Sequence, residues 1–312
     1  MLFLDHWLYT YTTMQKSKLY HYLQLHFIVF IWGFTAILGA LISLDAIPLV
    51  WFRMLLAVLF VLGYLIIKKK RLWVDKKTLL KFLFTGIIIA LHWITFFKAI
   101  KVSNVSIALV TMSTGAFFTS LIEPLFFKRS IKAIEMVLGM LVVGGLYIIF
   151  NFESQYSLGI MYALVSSFLA ALFSVLNGLF VKKNTAEVIS FYQLLFGVLF
   201  VTVFLIVTGS FSLEFINLSG IDWFYLILLS SVCTAYAFTI SVKVMKHVSP
   251  YTVMLTTNLE PIYAIVLALL IFGEKEKMNP AFYYGAFIVL FVVLLNGVIK
   301  NRGAIKTKIK RD

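Results

Sequence analysis

The chain consists almost entirely of apolar runs of about 20 residues, separated by short polar links. An α-helix of that length crosses the hydrocarbon core of a lipid bilayer. Only 13% of the residues are charged, against about 25% in soluble globular proteins. The sequence therefore predicts an all-α integral membrane protein with almost no mass outside the bilayer.

Windows of about 19 residues predict ten membrane-spanning helices. They cover residues 23–43, 48–67, 79–98, 104–127, 133–150, 158–181, 187–208, 222–242, 250–272 and 279–299. An even number of spans places both termini on the same side of the membrane. The links on that side carry 21 lysines and arginines, and those on the other side carry four, Lys98, Lys101, Lys275 and Lys277. Because basic links favour the cytoplasmic side, both termini are predicted to be cytoplasmic.

The formal net charge of +14 would suggest nucleic-acid binding in a soluble protein. Here the placement of the basic residues in the links explains the charge, so no nucleic-acid partner is predicted. The sequence contains no metal-ligand cluster, no GxxxxGK phosphate loop and no GxSxG turn, so we predict neither an enzyme nor a cofactor or metal site. The absence of a phosphate loop also predicts that this chain does not hydrolyse ATP.

Three segments of the first half of the chain resemble segments of the second half. They are Val50–Val61 with Ser190–Val201, Phe97–Ser113 with Val242–Asn258, and Phe30–Leu38 with Phe168–Leu176. The first pair places Arg53 opposite Gln193, and the second keeps a constant offset of 145 residues. Each half holds five predicted helices, an odd number, so the second copy must be inverted in the membrane. Inverted repeats are a transporter architecture with a substrate site near the membrane midplane.

The duplication sets the expected domain organisation. Two repeats are predicted over residues 23–150 and 158–299, between a cytoplasmic tail over residues 1–22 and a basic cytoplasmic tail over residues 300–312. Small residues of the fifth span are expected to let neighbouring helices approach closely; they are Gly139, Gly144 and Gly145.

An acidic residue, Glu260, lies midway along the ninth span, where an ionised side chain costs roughly 2.5 to 3.5 kcal/mol on insertion scales. Such residues usually face a bundle interior or a water-filled cavity. Pro261 has no N–H, so the carbonyl of Thr257 is expected to lose its helical partner. Together with Asn258, these residues predict a substrate or ion site. Glu260 could act as a proton acceptor, as a partner for a cationic substrate group, or as a protonated carboxyl in a helix interface.

Basic side chains in other spans carry two interpretations each. His92, near the middle of the third span, is either a group that changes charge near neutral pH or a neutral imidazole bonded to a backbone carbonyl. If His92 and Glu260 met across the cavity, they would form a proton relay. Arg53 either snorkels to the membrane interface or contacts an anion or forms a gate. The same alternatives apply to Lys98 and Lys243, repeat mates at opposite membrane faces.

The remaining candidates are hydroxyl and aromatic side chains. Because the first half holds Gly115 where the second half has Glu260, the acid is expected on one wall of a cavity between the copies. The facing wall is expected to hold His92 with the hydroxyls of Thr111 and Ser113. Aromatic residues expected near the cavity, which suit amphipathic or apolar substrates, are Trp32, Trp93, Phe96, Phe117, Tyr236 and Tyr263.

The duplicated five-helix unit, the Trp32-Gly33 pair, Arg53 in the second span and the ending LEPIYAIVLALLIFGE of the ninth span resemble the EamA family of the drug/metabolite transporter superfamily. The resemblance implies a ten-helix secondary transporter of the cytoplasmic membrane, often an exporter of amino acids or other small metabolites. It also implies alternating access around a central cavity. The chain departs from the family pattern at residues 114–116, where the family often has a proline-containing counterpart of residues 259–261. That departure favours a site without two-fold symmetry.

From the residues and the resemblance together we predict a secondary active transporter that exports small organic metabolites, such as amino acids or amphipathic compounds. Its predicted partners are a small-molecule solute and the lipid bilayer, with protons as the candidate coupling ion. A flippase for lipid-linked substrates and a non-transporting membrane scaffold remain as alternatives. A lateral opening to the bilayer would favour the flippase, whereas a scaffold would leave Glu260 unexplained.

Overall fold

The computed structural model describes residues 2–128, 130, 133–211 and 216–309, and these residues form α-helices joined by short links. The helices are α1 Leu2–Leu41, α2 Ala46–Ile67, α3 Lys76–Val102, α4 Val105–Met112, α5 Gly115–Phe127, α6 Ala133–Phe152, α7 Ser157–Phe180, α8 Ala186–Val207, α9 Gly220–Ser230, α10 Ala237–Val244, α11 Pro250–Thr257, α12 Glu260–Phe272 and α13 Pro280–Ile309. A π-helical segment, Ser231–Tyr236, joins α9 to α10. Short 3₁₀ turns precede α7 and follow α12.

The predicted all-α membrane fold is confirmed. Eight helical stretches are long and apolar enough to cross a bilayer, and α6 and α13 supply two shorter ones, Val137–Phe152 and Pro280–Val292. Three of the long stretches are composite: α4 with α5, α9 with α10, and α11 with α12. We call the membrane face at which α2 and α10 end the terminal face, because α1 begins and α13 ends on that side, and the other face the distal face.

The two halves of the chain pack into one another rather than side by side. Helix α3 of the first half lies along α7 and α8 of the second half, and α2 lies along α8. The tight contact of α3 with α8 depends on small residues, because a Cβ on Gly86 would lie 2.5 Å from the carbonyl oxygen of Gln193. Any cavity at the centre of the bundle is therefore walled by both halves.

The fourth and ninth spans are both interrupted near the middle of the membrane. Helix α4 ends before Ser113 and Thr114, and α11 ends before Asn258 and Leu259. These two breaks are 145 residues apart, the same offset that relates the repeats. Pro261, in the first turn of α12, accounts for the second break, since proline is tolerated at the start of a helix but not within it.

The first break has no proline and is made by hydroxyl groups. The Thr114 hydroxyl donates to the carbonyl of Thr111 at 2.8 Å, and the Ser167 hydroxyl donates from α7 to the carbonyl of Met112 at 3.0 Å. Carbonyls left without a helical partner are thereby satisfied inside the protein, as membrane depth requires. The backbone therefore breaks at equivalent positions of the two halves, although only the second break contains a proline.

Helices α6 and α13 meet through glycines. A Cβ on Gly145 would lie 2.8 Å from Cγ2 of Val289 and 3.1 Å from the carbonyl oxygen of Gly285, whereas a Cβ on the adjacent Gly144 would meet nothing within 4 Å. Gly139 packs against the ring of Phe117, where a Cβ would lie 2.1 Å from the ring edge. The sequence expectation of close helix approach is confirmed for Gly139 and Gly145, and it is wrong for Gly144.

Gly145→Ala should destabilise the protein, because the added methyl group would meet the backbone oxygen of Gly285 and the fully buried side chain of Val289. Neither can yield without moving a helix. Overpacking of this kind costs about 1–3 kcal/mol. Gly144→Ala is the matched control and should be neutral or slightly stabilising, because alanine is the better helix former. Thermal unfolding of the two purified variants in detergent measures the difference. Equal melting temperatures would show that α6 and α13 do not need this contact.

Candidate functional site

A cavity of about 100 Å³ lies at the centre of the bundle between the two halves. That space is several times what one water molecule needs. It is lined by Trp32, Thr35, Arg53, His92, Trp93, Phe96, Leu109, Met112, Ser113, Ala170, Phe173, Ser174, Phe238, Ser241, Met245, Val253, Met254, Thr257, Asn258, Glu260 and Pro261. Apolar and aromatic side chains form most of the wall, and the charged groups are few.

Much of this wall is two-fold pseudo-symmetric. The repeat alignment pairs cavity residues of the first half with cavity residues of the second half: Trp32 with Ala170, Thr35 with Phe173, Trp93 with Phe238, Phe96 with Ser241, Leu109 with Met254, Met112 with Thr257, and Ser113 with Asn258. The mates Trp93 and Phe238 meet edge to face, with ring centroids 6.0 Å apart. The cavity therefore lies on the axis that relates the repeats.

The charged residues break this symmetry. Arg53, His92 and Glu260 line the cavity, whereas their repeat mates Gln193, Ala237 and Gly115 do not. A symmetric apolar shell thus carries a cation on one element, α2, and a carboxylate on another, α12.

Arg53 is held rigidly in the cavity wall. Its guanidinium lies 4.0 Å from the ring centroid of Trp93, a cation–π contact, and its Nε donates to the Thr234 hydroxyl at 2.7 Å. Only 2% of the residue is exposed, so it does not snorkel to the interface. Its Nη1 has no hydrogen-bond partner among the described residues. The alternative in which Arg53 faces an anion in the cavity is the one that fits this geometry.

The π-helical segment positions Arg53 and Trp32. A π-turn shifts the backbone by one residue, which leaves carbonyls and hydroxyls free for partners outside the helix. The carbonyl of Cys233 accepts a hydrogen bond from Trp32 Nε1 at 3.1 Å, and Thr234 accepts from Arg53 while donating to the carbonyl of Leu229 at 2.7 Å. The sequence carried no signal for this segment, so Thr234 was missed as a site residue.

Glu260 is the first residue of α12, and its partly buried side chain lines the cavity. The first turn of a helix has unpaired N–H groups and a favourable dipole for negative charge. In the described part of the chain, no hydrogen bond to the Glu260 carboxylate is present, so it is available to a cavity ligand. Thr257, Asn258 and Pro261 line the cavity beside it, and Asn258 Nδ2 is buried with no hydrogen-bond partner in the described part of the chain.

His92 lines the cavity but is tied to the backbone of α7. Its Nδ1 lies 2.9 Å from the carbonyl oxygen and 2.8 Å from the hydroxyl oxygen of Ser166, and that hydroxyl donates to the carbonyl of His92 at 2.8 Å. A carbonyl partner favours the tautomer in which Nδ1 carries the proton. This matches the interpretation of His92 as a neutral imidazole bonded to a backbone carbonyl.

Eight of the ten predicted site residues line the cavity, and two do not. Thr111 is fully buried in α4, one residue before the cavity-lining Met112. Tyr236 is 46% exposed on the outside of the bundle, as is its repeat mate Leu91, which is 37% exposed in the unbroken helix α3. Phe117 and Tyr263 also lie elsewhere, packed on Gly139 and Gly33.

Sequence reasoning missed several wall residues, among them Phe173, Phe238 and Met254. Phe238 could have been predicted, since the repeat alignment pairs it with Trp93, which was expected at the cavity. Phe173 and Met254 pair with Thr35 and Leu109, which line the cavity but were not expected there. Ser174 and Met245 have no such mate and could be found only from the folded chain.

The cavity wall extends toward the terminal face, and hydrogen bonds join the two halves near the distal face. Its wall extends to Met245, which directly follows α10, and to Val253 in the first turn of α11. Toward the distal face, the carboxylate of Glu276 accepts from the backbone N–H groups of Val105 and Ser106 and from the Ser106 hydroxyl at 2.7–3.0 Å.

A second distal tie joins the halves. Asp222, at the start of α9, accepts from the backbone N–H and the hydroxyl of Ser43, both at 2.8 Å. Lys101 donates to the carbonyl of Ile42 in the same region. The bonds of Asp222 and Glu276 connect the first half to the second half near the distal face, whereas the Lys101 bond lies within the first half.

Comparison with known proteins agrees with this architecture. The model of the EamA-like transporter family matches residues 20–151 and again residues 157–298. A protein of Clostridium kluyveri, described as an uncharacterized transporter, is 28% identical over 189 residues, covering 58% of this chain and 60% of that protein. The matched region thus spans less than two thirds of that relative's length. A crystal structure with 12% sequence identity superposes with a TM-score of 0.66, covering 89% of this chain and 97% of that one, which shows a common fold.

A cysteine placed in the cavity should react with a thiol reagent added at the terminal face and be protected from the distal face. Thr257→Cys, in a Cys233→Ser background that removes the lone native thiol, provides the probe. Labelling with a membrane-impermeant maleimide in vesicles of either orientation makes the measurement, and Lys275→Cys serves as the distal control. Labelling of position 257 from the distal face alone would show that the cavity opens at the distal face instead.

Proposed function

The chain belongs to the EamA-like transporter family, and on that premise we propose that it is a secondary active transporter of small organic metabolites. The observation that carries the proposal is the central cavity, in which a symmetric apolar shell from both repeats surrounds a cation and a carboxylate. Sites of this kind between inverted repeats bind substrates in secondary transporters.

The chemistry of the wall supports a solute with an apolar part and two opposite charges. Arg53 offers an unpaired guanidinium nitrogen suited to a carboxylate, and the carboxylate of Glu260 is available to an ammonium group. Aromatic and methionine side chains provide contact area for the remainder of the solute; they are Trp32, Trp93, Phe96, Phe173, Phe238, Met112 and Met254. Amino acids with apolar side chains combine these features.

Alternating access would proceed by closing the cavity at one membrane face and opening it at the other. The halves are tied near the distal face by Asp222 and Glu276, and the cavity wall extends toward the terminal face as far as Met245. Opening toward the distal face requires those inter-half hydrogen bonds to break. We propose that the terminal face is cytoplasmic and that net transport is export across the cytoplasmic membrane.

Proton coupling is assigned to Glu260 in this proposal. It is a carboxylate in the membrane interior that faces the cavity, so it can bind either a proton or a cationic substrate group. His92 contributes less, since its Nδ1 already has a backbone partner on α7. Competition between proton and substrate for one carboxylate is sufficient to couple their movements.

Glu260→Gln should abolish pH-driven transport while leaving the fold intact, because glutamine has the same shape and cannot exchange a proton. Uptake of a panel of labelled apolar amino acids into liposomes, with and without an imposed pH gradient, measures the effect. We expect the gradient-driven component to fall about tenfold or more, the loss of one charged interaction. Glu274→Gln, an exposed carboxylate paired with Lys277, is the control. Full pH-driven flux in the Glu260 variant would remove this residue from coupling.

The topology makes a separate prediction, since the basic links are expected on the cytoplasmic side. A green fluorescent protein fused after Asp312 should fluoresce, and alkaline phosphatase fused there should be inactive. Phosphatase fused after Lys275, in the distal link, should be active. An active phosphatase at the C-terminus would reverse the proposed orientation and, with it, the direction of transport.

A further inference from the structure

A second cavity, separate from the central one, lies near the distal face. Its volume is about 390 Å³, and its wall consists of Asp45, Ala46, Ile47, Pro48, Ile94, Lys98, Tyr162, Phe204, Leu205 and Ser210. None of these residues lines the central cavity. The wall is drawn from the distal ends of α2, α3, α7 and α8, so both halves of the chain contribute.

The depth of this cavity matches the membrane interface. Asp45 directly precedes α2, and Ser210 lies just beyond the end of α8, so the polar rim is at the helix ends. Ile94 lies one turn deeper than Lys98, and Phe204 lies about one turn before the end of α8 at Val207. The cavity thus extends from the headgroup level into the hydrocarbon.

Lys98 is a cation in this wall without a partner among the described residues. Its side chain is partly buried, and it forms no hydrogen bond or ion pair with any residue in the described ranges. The neighbouring Lys101 differs, because it donates to the carbonyl of Ile42 and lies within electrostatic reach of Asp45 and Asp222. A partly buried ammonium group in contact with an empty volume is suited to an anionic oxygen.

Asp45 supplies the opposite charge at the rim of the same cavity. It is exposed, and although it is the N-cap residue of α2, its side chain makes no capping hydrogen bond. The carboxylate is therefore not committed to the helix end. The cavity offers a cation and an anion at the interface, with a phenol, Tyr162, beside them.

The apolar wall is continuous with the lipid-facing surface. Phe204 is 43% exposed, and other residues of α8 that face outward are Leu199, Val203, Ile206 and Val207. A water-soluble solute would leave this surface uncovered, whereas an acyl chain would lie along it. Lipid, rather than a free solute, fits both parts of the cavity.

We propose that this cavity binds a zwitterionic phospholipid with a primary-amine headgroup. Its phosphate contacts Lys98, its ammonium contacts Asp45, and an acyl chain lies against Ile94 and Phe204. A choline headgroup carries no N–H to donate to Asp45, and a glycerol headgroup has no cation for it, so phosphatidylethanolamine is preferred over phosphatidylcholine and phosphatidylglycerol. The proposal does not depend on which solute the protein transports.

Lipid retention measured by native mass spectrometry tests the site. Detergent-purified protein is titrated with phosphatidylethanolamine, phosphatidylcholine or phosphatidylglycerol, and bound lipid is counted. Lys98→Gln should weaken phosphatidylethanolamine binding about tenfold, as expected for loss of one charged hydrogen-bond donor. Asp45→Asn should remove the preference over phosphatidylcholine. Lys98→Arg should restore binding, which separates loss of charge from misfolding.

Lys243→Gln is the matched control, because Lys243 is the repeat mate of Lys98, exposed at the opposite membrane face. It should leave lipid retention unchanged. Equal loss in the Lys98 and Lys243 variants would overturn the proposal, as would equal retention of the three lipids by the unaltered protein. Displacement of lipid by soluble phosphoethanolamine at the same concentration would show instead a site for free solutes.

Discussion

The constraint on which the whole structure depends is that backbone polar groups within a bilayer must be satisfied by the protein itself. Continuous helices meet it along most of the chain. The fourth and ninth spans are not continuous helices. They break after α4 and α11, at the centre of the bundle, where polar side chains or a cavity are within reach. Ser167 reaches across from α7 to satisfy one freed carbonyl. The helix breaks and the central cavity therefore occur together, since interrupted backbone is tolerated where it lies inside the protein beside a cavity.

The duplicated scaffold supplies a symmetric apolar shell, whereas function requires the two sides of the cavity to differ. The apolar wall keeps the symmetry, as in the contact of Trp93 with its mate Phe238. The charged residues do not follow this symmetry, because Arg53 and Glu260 occupy positions whose repeat mates are Gln193 and Gly115. Gln193 bonds to Asn177 within the core instead of lining the cavity. A polar solute bound between the two repeats would thus have one preferred orientation.

Features encoded by local composition could be predicted from the sequence, and features set by packing could not. The span lengths could be predicted from the apolar runs, and the repeat from matched residues in the two halves. Pro261 predicted one helix break. The break at Ser113 and Thr114 was not foreseen, because hydroxyl groups mark a break only when a neighbour such as Ser167 is present. The side chain of Arg53 was ambiguous for the same reason: its direction is fixed by Thr234, whose own position depends on the π-helical segment.

The π-helical segment between α9 and α10 has a consequence for how such a protein could arise. A π-turn amounts to one residue more than a regular helix would hold, and α3, the related helix of the first half, runs unbroken. One additional codon in one copy of a duplicated gene is enough to rotate the rest of that helix against its neighbours. Two initially identical halves can thereby come to differ beside the cavity without any change to their shared fold.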